Sequence, residues 1–156
     1  MDSHLDVRAV IDALGRASEQ MLGGDCSQWM ELMSHRDDVA ALGAYGGTVA
    51  GWEEVSARFE RTAAGYREGG PGGTTSRENI ATWIGADLAC VVDIEQHRTG
   101  LPGSADPVTF RYRTTHVLRR EPEGWRVVLR HADPLVEFRG PTFAHVDAQA
   151  PASPAS

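Results

Sequence analysis

Two histidines and an aspartate, His116, His131 and Asp133, lie in a stretch of alternating polar and apolar residues that runs from Tyr112 to Asp133. Arg-Tyr-Arg-Thr-Thr-His-Val-Leu-Arg-Arg, a Glu-Pro-Glu-Gly turn and Trp-Arg-Val-Val-Leu-Arg-His-Ala-Asp read as one long antiparallel hairpin. An imidazole titrates near pH 6.5 and so serves as acid or base at neutral pH, and a carboxylate on the same strand face orients it. A buried polar group left without a partner costs roughly 1–3 kcal/mol, so ionisable residues on a face that a sheet should bury point to a ligand pocket.

Alternate residues of a strand share a face. His131 and Asp133 have the parity of Trp125, Val127 and Leu129 and are expected to face the core or cavity with them. The plainer alternative is a histidine that only satisfies a neighbour's hydrogen bond. On the preceding strand, Tyr112, Thr114 and His116 form one set and Arg113, Thr115 and Val117 the other. One set faces inward, and a register slip of one residue would exchange them. The His116 set would stand beside Leu129 and His131. In the expected chemistry His131, oriented by Asp133, moves a proton, and His116 or Tyr45 stabilises negative charge on a substrate oxygen.

The elements that position these groups follow from hydrophobic period and turn residues. Val7, Val10, Ile11, Leu14, Ala17 and Met21 recur at helical spacing up to Gly23-Gly24. Asp25 and Gln28 start a short second helix carrying Trp29, Leu32 and Met33, and a strand is predicted near Val39 to Gly43. After a glycine loop around Tyr45, the set Trp52, Val55, Phe59, Ala63, Tyr66 predicts a third helix. Thr75 to Ile84 and Leu88 to His97 flank Gly85-Ala86-Asp87 as a hairpin, and the Tyr112 to Asp133 hairpin follows. Helices first and strands afterwards predict an α+β fold: a curved, largely antiparallel sheet wrapped around three N-terminal helices, with a cone-shaped cavity between them.

Trp29, Trp52, Phe59, Tyr66 and Tyr112 are candidate walls of that cavity, with a plain aromatic core as the alternative for those at helical spacing. Tyr45 is a candidate gate at its mouth, and Arg113 and Leu129 are candidate contacts on the hairpin. Arg58 reads as an exposed helix residue. Asp37 and Asp38 beside His35 have metal-ligand types, but a solvated turn explains them, so no metal site is expected.

A length of 156 residues fits one domain, placed at residues 1–138, with a Pro/Ala/Ser-rich, disordered tail expected at 139–156. The net charge of −7 argues against a sequence-independent grip on nucleic acid. All fifteen basic residues are arginine, a bias of GC-rich bacterial type. Cys26 and Cys90 form no C-x-x-C pair, so reduced thiols are expected. No run of about 18 apolar residues occurs, which predicts a cytoplasmic protein away from membranes. No phosphate loop, nucleophile elbow or H-E-x-x-H is present, so no cofactor is expected.

The Gly-Gly-Asp junction followed by Trp29 and Leu32, the Gly-Gly-x-x-x-Gly-Trp-Glu-Glu-Val entry to helix three and the Gly-Trp-Arg-Val-Val-Leu-Arg-His-Ala-Asp strand resemble the ketosteroid isomerase and nuclear transport factor 2-like superfamily. Over roughly residues 5–138 the chain looks like its SnoaL-like bacterial branch, which includes polyketide cyclases. The resemblance implies a pocket for a small apolar or aromatic molecule and a homodimer paired through the sheet. The activities it implies are cyclisation, isomerisation or dehydration, or else non-catalytic binding or assembly. The isomerases' base aspartate would fall in Val39-Ala40-Ala41-Leu42-Gly43, which is apolar here. Their oxyanion tyrosine falls near Ala17 and their protonated aspartate near His116. Of the carboxylates resembling the epoxide hydrolase pair, one position reads Arg113-Thr114-Thr115 and only Asp133 matches.

Overall fold

In the computed structural model residues 3–70 and 72–136 are described; the tail expected at 139–156 lies outside them. Helices α1 (Ser3–Leu22), α2 (Ser27–Leu32) and α3 (Trp52–Glu68) alternate with or precede strands β1 (Ala40–Leu42), β2 (Thr48–Ala50), β3 (Gly73–Ile84), β4 (Leu88–Thr99), β5 (Val108–Glu121) and β6 (Gly124–Pro134). The helices form where the apolar period predicts them: Val7, Leu14, Ala17 and Met21 of α1 and Val55, Phe59 and Ala63 of α3 are buried. Gly24, at φ 84°, stops α1 in a conformation that other residues rarely adopt. Asp25 then accepts the Ser27 amide at 2.9 Å, satisfying a free donor at the start of α2.

The strands form one curved mixed sheet in the order β2-β1-β6-β5-β4-β3. Only the short β1 runs parallel to its neighbour β6; the other pairs are antiparallel. Strand β2 was not predicted from sequence, because three residues carry too little alternation. It forms because the 43–47 loop closes on itself, Gly43 N–H donating to Gly47 O at 2.7 Å, and brings Ala50 opposite Ala40. The core lies between the helices and the inner sheet face, where Trp29, Met33, Val39, Val91, Leu118 and Val127 pack together.

At one end of the sheet Arg119 ties this core to the turn before β1. Its guanidinium donates to Asp38 at 2.6 and 3.0 Å and to Glu121 at 2.8 Å, and Glu121 also accepts from the Ser34 hydroxyl at 2.8 Å. The Asp37-Asp38 turn is thus an arginine anchor.

An irregularity in β6 decides what faces the cavity. Val117 pairs with Leu129 but the next residue, Leu118, pairs with Val127, so Val128 is an extra residue in β6. A bulge of this kind reverses the parity of everything beyond it. Trp125 and Val127 are buried inward, but past Val128 the buried residue is Ala132 and His131 is exposed. The expectation that Leu129, His131 and Asp133 share the face of Trp125 is therefore corrected: they lie on the outer face, opposite Val117, Thr115 and Arg113. In β5 the inward set is Tyr112, Thr114, His116 and Leu118, all buried.

Leu118 is fully buried beside the bulge. Leu118→Ala should destabilise the chain by about 3 kcal/mol through lost burial and an unfilled void, measured as a shift in denaturant midpoint; a loss below about 1 kcal/mol would mean that the bulge region repacks freely.

Candidate functional site

Under the concave face lies a cavity of about 300 Å³, walled by Trp29, Phe59, Tyr66, Tyr112 and Ala132, with Arg58, His97 and Arg130 as its charged or titratable lining. Tyr45, 73% exposed, stands at the rim edge-on to Tyr112, with ring centroids 6.3 Å apart. Burial pushes the Tyr66 and Tyr112 hydroxyls above their usual range, so both remain protonated donors at neutral pH.

Behind the aromatic wall is a layer of buried charge. Strand β4 places Asp93, Glu95, His97 and Thr99 on its inward face, in line with the core residue Val91. Arg77 of β3 pairs with Asp93 and also donates to the Ile11 carbonyl of α1 at 2.9 Å, passing over Gly15, where a Cβ would already touch its stem. Arg130 of β6 donates to Glu95 Oε2 at 3.0 Å and to His116 Nε2 at 2.8 Å, and lies 5.2 Å over the Trp29 ring. His97 Nε2 stands 3.3 Å from the same Glu95 oxygen. Burial raises the Glu95 pKa, but Arg130 and His97 outweigh it and hold the carboxyl well below its usual range. Glu95 is therefore an ionised carboxylate with no solvent exposure, neutralised by its partners.

His116 faces inward as one of the two parities predicted, but it is wholly buried and stacked on Trp29 at 5.7 Å, behind the cavity wall. Burial first and Arg130 second push its pKa down to about 3. An arginine is always a donor, so Nε2 accepts and the ring is neutral with its proton on Nδ1. The lone pair that a general base needs is already engaged.

Of the other residues expected at the site, Trp29, Phe59, Tyr66, Tyr112 and Tyr45 line the cavity. Trp52 does not: it begins α3 and stacks on His35 at 3.9 Å. Arg113 is exposed on the outer face, where its Nε donates to Asp133 at 2.7 Å. Leu129 and His131 share that face. Arg58, read from sequence as an exposed helix residue, is a cavity residue. The β4 groups had a legible signal in Asp-x-Glu-x-His, three ionisable residues on the parity of Val91. Arg130 had none, because its facing depends on the bulge.

Asp93, Glu95 and His116 have donor atoms within 4.8 Å of one another and the residue types of a cation site. Arg77 and Arg130 already balance the two carboxylates, so a cation would have to displace a guanidinium.

An α+β sheet curved over helices, with an apolar cavity backed by polar groups, defines a small-molecule pocket fold. The SnoaL-like domain family matches residues 7–137, and the chain belongs to that family. Among solved structures it is similar to a candidate dehydratase of the NTF2-like family from Streptomyces avermitilis, at 20% identity over 86% of this chain and 97% of that one, with a TM-score of 0.72. An NTF2-like superfamily protein from Salmonella enterica shares 13% identity over 85% and 91% of the two chains (TM-score 0.71). A candidate calcium/calmodulin-dependent protein kinase type II association domain from Thiobacillus denitrificans shares 24% over 83% and 94% (TM-score 0.65). These likenesses establish the fold. No curated protein matches the chain. No described helix is long and apolar enough to cross a membrane.

The neutral state of His116 makes stability depend on acid. Below pH 6.5 the unfolded chain takes a proton on this residue, and the native chain does not until about pH 3. Protons thus favour unfolding in that window; the site's stabilisation is fully present above pH 6.5 and lost toward pH 3. Denaturant unfolding should show a loss of about 2 kcal/mol between pH 7 and pH 5 from this group, and His116→Phe should flatten that slope. An equally steep slope in the variant would remove the assignment.

Proposed function

We propose that this chain is a small enzyme that moves a proton on an apolar or aromatic substrate bearing a carbonyl, using its own side chains as acid and base. One observation carries the reading: the His97 imidazole lines the cavity with a buried, ionised carboxylate, Glu95, against its Nε2. In this reading Nε2, 3.3 Å from the Glu95 carboxylate, carries the proton and the ring's lone pair is on Nδ1. His97 takes a proton from the carbon beside the carbonyl, the C–H electrons form the enolate double bond, and the carbonyl electrons move to oxygen. Unused N–H groups of Arg130 stabilise that oxygen in a site sheltered from water. Return of the proton to another carbon gives isomerisation; attack of the enolate carbon on a second carbonyl of the same molecule, with the proton delivered to the alkoxide this forms, gives ring closure; return of the proton to a departing hydroxyl gives dehydration. The likeness to a candidate dehydratase supports the same chemistry. In this reading His97 takes the role expected of His131, Glu95 that of Asp133, and Arg130 that of His116 or Tyr45.

Hydrogen–deuterium exchange of 2-tetralone, followed by NMR in D2O, tests it. The wild-type chain should catalyse exchange beside the carbonyl, and His97→Ala should lower the rate by about 100-fold or more. Exchange no faster than buffer, or unaffected in the variant, would overturn the acid–base reading. The second reading, a non-catalytic ligand-binding or assembly domain, is favoured by one feature: the stretch expected to carry the base, Val39-Ala40-Ala41-Leu42-Gly43, has no ionisable residue.

The outer sheet face supports a homodimer. Cys90, Val117 and Leu129 align across three strands, flanked by Val92 and Ile94; Trp83, opposite Cys90 on β3, and Leu88, at the start of β4, stand 61% and 56% exposed. An apolar surface of this kind marks an association site. The chain should sediment as a dimer at micromolar concentration and Val92→Asp should yield monomer; a monomeric wild type would overturn the pairing.

A further inference from the structure

The inner layer of charge cancels. Arg77 and Arg130 face Asp93 and Glu95. Arg58 is different: it lines the cavity, half-buried, and pairs with no carboxylate among the described residues. Its Nη1 donates to the Gly47 carbonyl at 2.7 Å and to the Ala41 carbonyl at 3.3 Å, while Nη2 and Nε make no hydrogen bond among the described residues. The guanidinium is held in place by backbone, but its charge is unanswered among the described residues.

The loop around it is shaped to admit it. A Cβ on Gly43 would lie 1.8 Å from Arg58 Nη2, and one on Gly47 would lie 2.9 Å from both terminal nitrogens. Neither glycine has a positive φ, so backbone conformation does not demand glycine at either position. Space does. The hairpin from β1 to β2 closes on the guanidinium through two residues without side chains, which aligns the arginine and leaves donors uncommitted.

We infer that Arg58 is the anchor for a carboxylate, and that the cavity takes a flat apolar or aromatic monocarboxylic acid. This inference rests on the cavity being a ligand site. One uncompensated positive charge matches one negative charge, and a guanidinium edge offers two parallel N–H donors to a carboxylate. Trp29, Phe59, Tyr66 and Tyr112 supply aromatic walls for the body of such a molecule. Burial, and after it the nearby charges of Arg130 and Arg61, lower the Arg58 pKa, and a bound anion would relieve that strain between like charges. A phosphate dianion fits less well, since Arg130 is already neutralised by Glu95 and the chain has no lysine. With the acid held at Arg58 and its carbonyl near Arg130 and His97, the same molecule satisfies the proposed proton transfer.

Calorimetric titration of the full chain with 2-naphthoate and with its neutral isostere 2-naphthamide separates these ideas. Wild type should bind the acid at least tenfold more tightly than the amide, with the preference shrinking as salt rises. Arg58→Gln should lose the preference while keeping the amide's affinity, and Arg58→Lys should keep part of it; thermal melts of both variants verify folding. If wild type binds acid and amide equally, or if the preference survives Arg58→Gln, the anchor is overturned while the pocket reading stands. If neither compound binds, the anchor falls. Failure of 2-tetralone exchange alone overturns the proton transfer and leaves the acid preference intact.

Discussion

Two carboxylates buried on one strand and two arginines brought to them from other strands are the interaction on which this structure turns. Asp93 and Glu95 of β4 are almost wholly removed from water, and each needs a cation, because an unpaired buried charge is far more costly than an unpaired neutral group. Arg77 comes from β3, three positions before the bulge at Ile80, and reaches on to α1; Arg130 comes from β6, beyond the bulge at Val128. Such pairs contribute little net stability compared with an apolar core, but removing one partner typically costs about 3–5 kcal/mol. They therefore specify more than they stabilise. The strands must arrive in this register, and α1 must lie where Arg77 finds the Ile11 carbonyl.

The same array decides which imidazole is left at the cavity. Arg130 occupies the His116 lone pair, removing that imidazole from acid–base work, and shares Glu95 with His97, whose ring lines the cavity with Nε2 3.3 Å from the carboxylate. The single residue Val128 accounts for this division. Without an extra residue in β6, Leu129, His131 and Asp133 would continue the inward face of Val127; with it, Arg130 and Ala132 do. The displaced residues join the apolar outer face, where Asp133 binds Arg113 at the edge of the surface proposed for pairing.

Much of the architecture was legible from residue periodicity. Three helices and two long hairpins follow from apolar spacing and glycine turns, since these depend on residues a few positions apart; which parity of β5 faces inward does not, because a one-residue slip exchanges the Tyr112 and Arg113 sets. Strand β2 escaped because three residues cannot show a period, and it exists through its partner β1. Trp52 had the spacing of a cavity residue, yet its place at the first turn of α3 directs it to His35. Arg58 was hidden because a single arginine among helix-surface residues looks solvated until the glycine loop is folded over it.

The sequence by itself determined the α+β class, the family likeness and the set of aromatic side chains available to a cavity, all properties of local pattern. The tertiary structure alone decided which ionisable groups meet. A bulge arises from how two strands pair and shifts facing by one residue, and charges far apart in sequence, such as Glu95 and Arg130 or Arg58 and the Gly47 carbonyl, become neighbours only when several elements pack. Facing and partnership, which determine whether a histidine is a base or an inert buried ring, are properties of the assembled sheet.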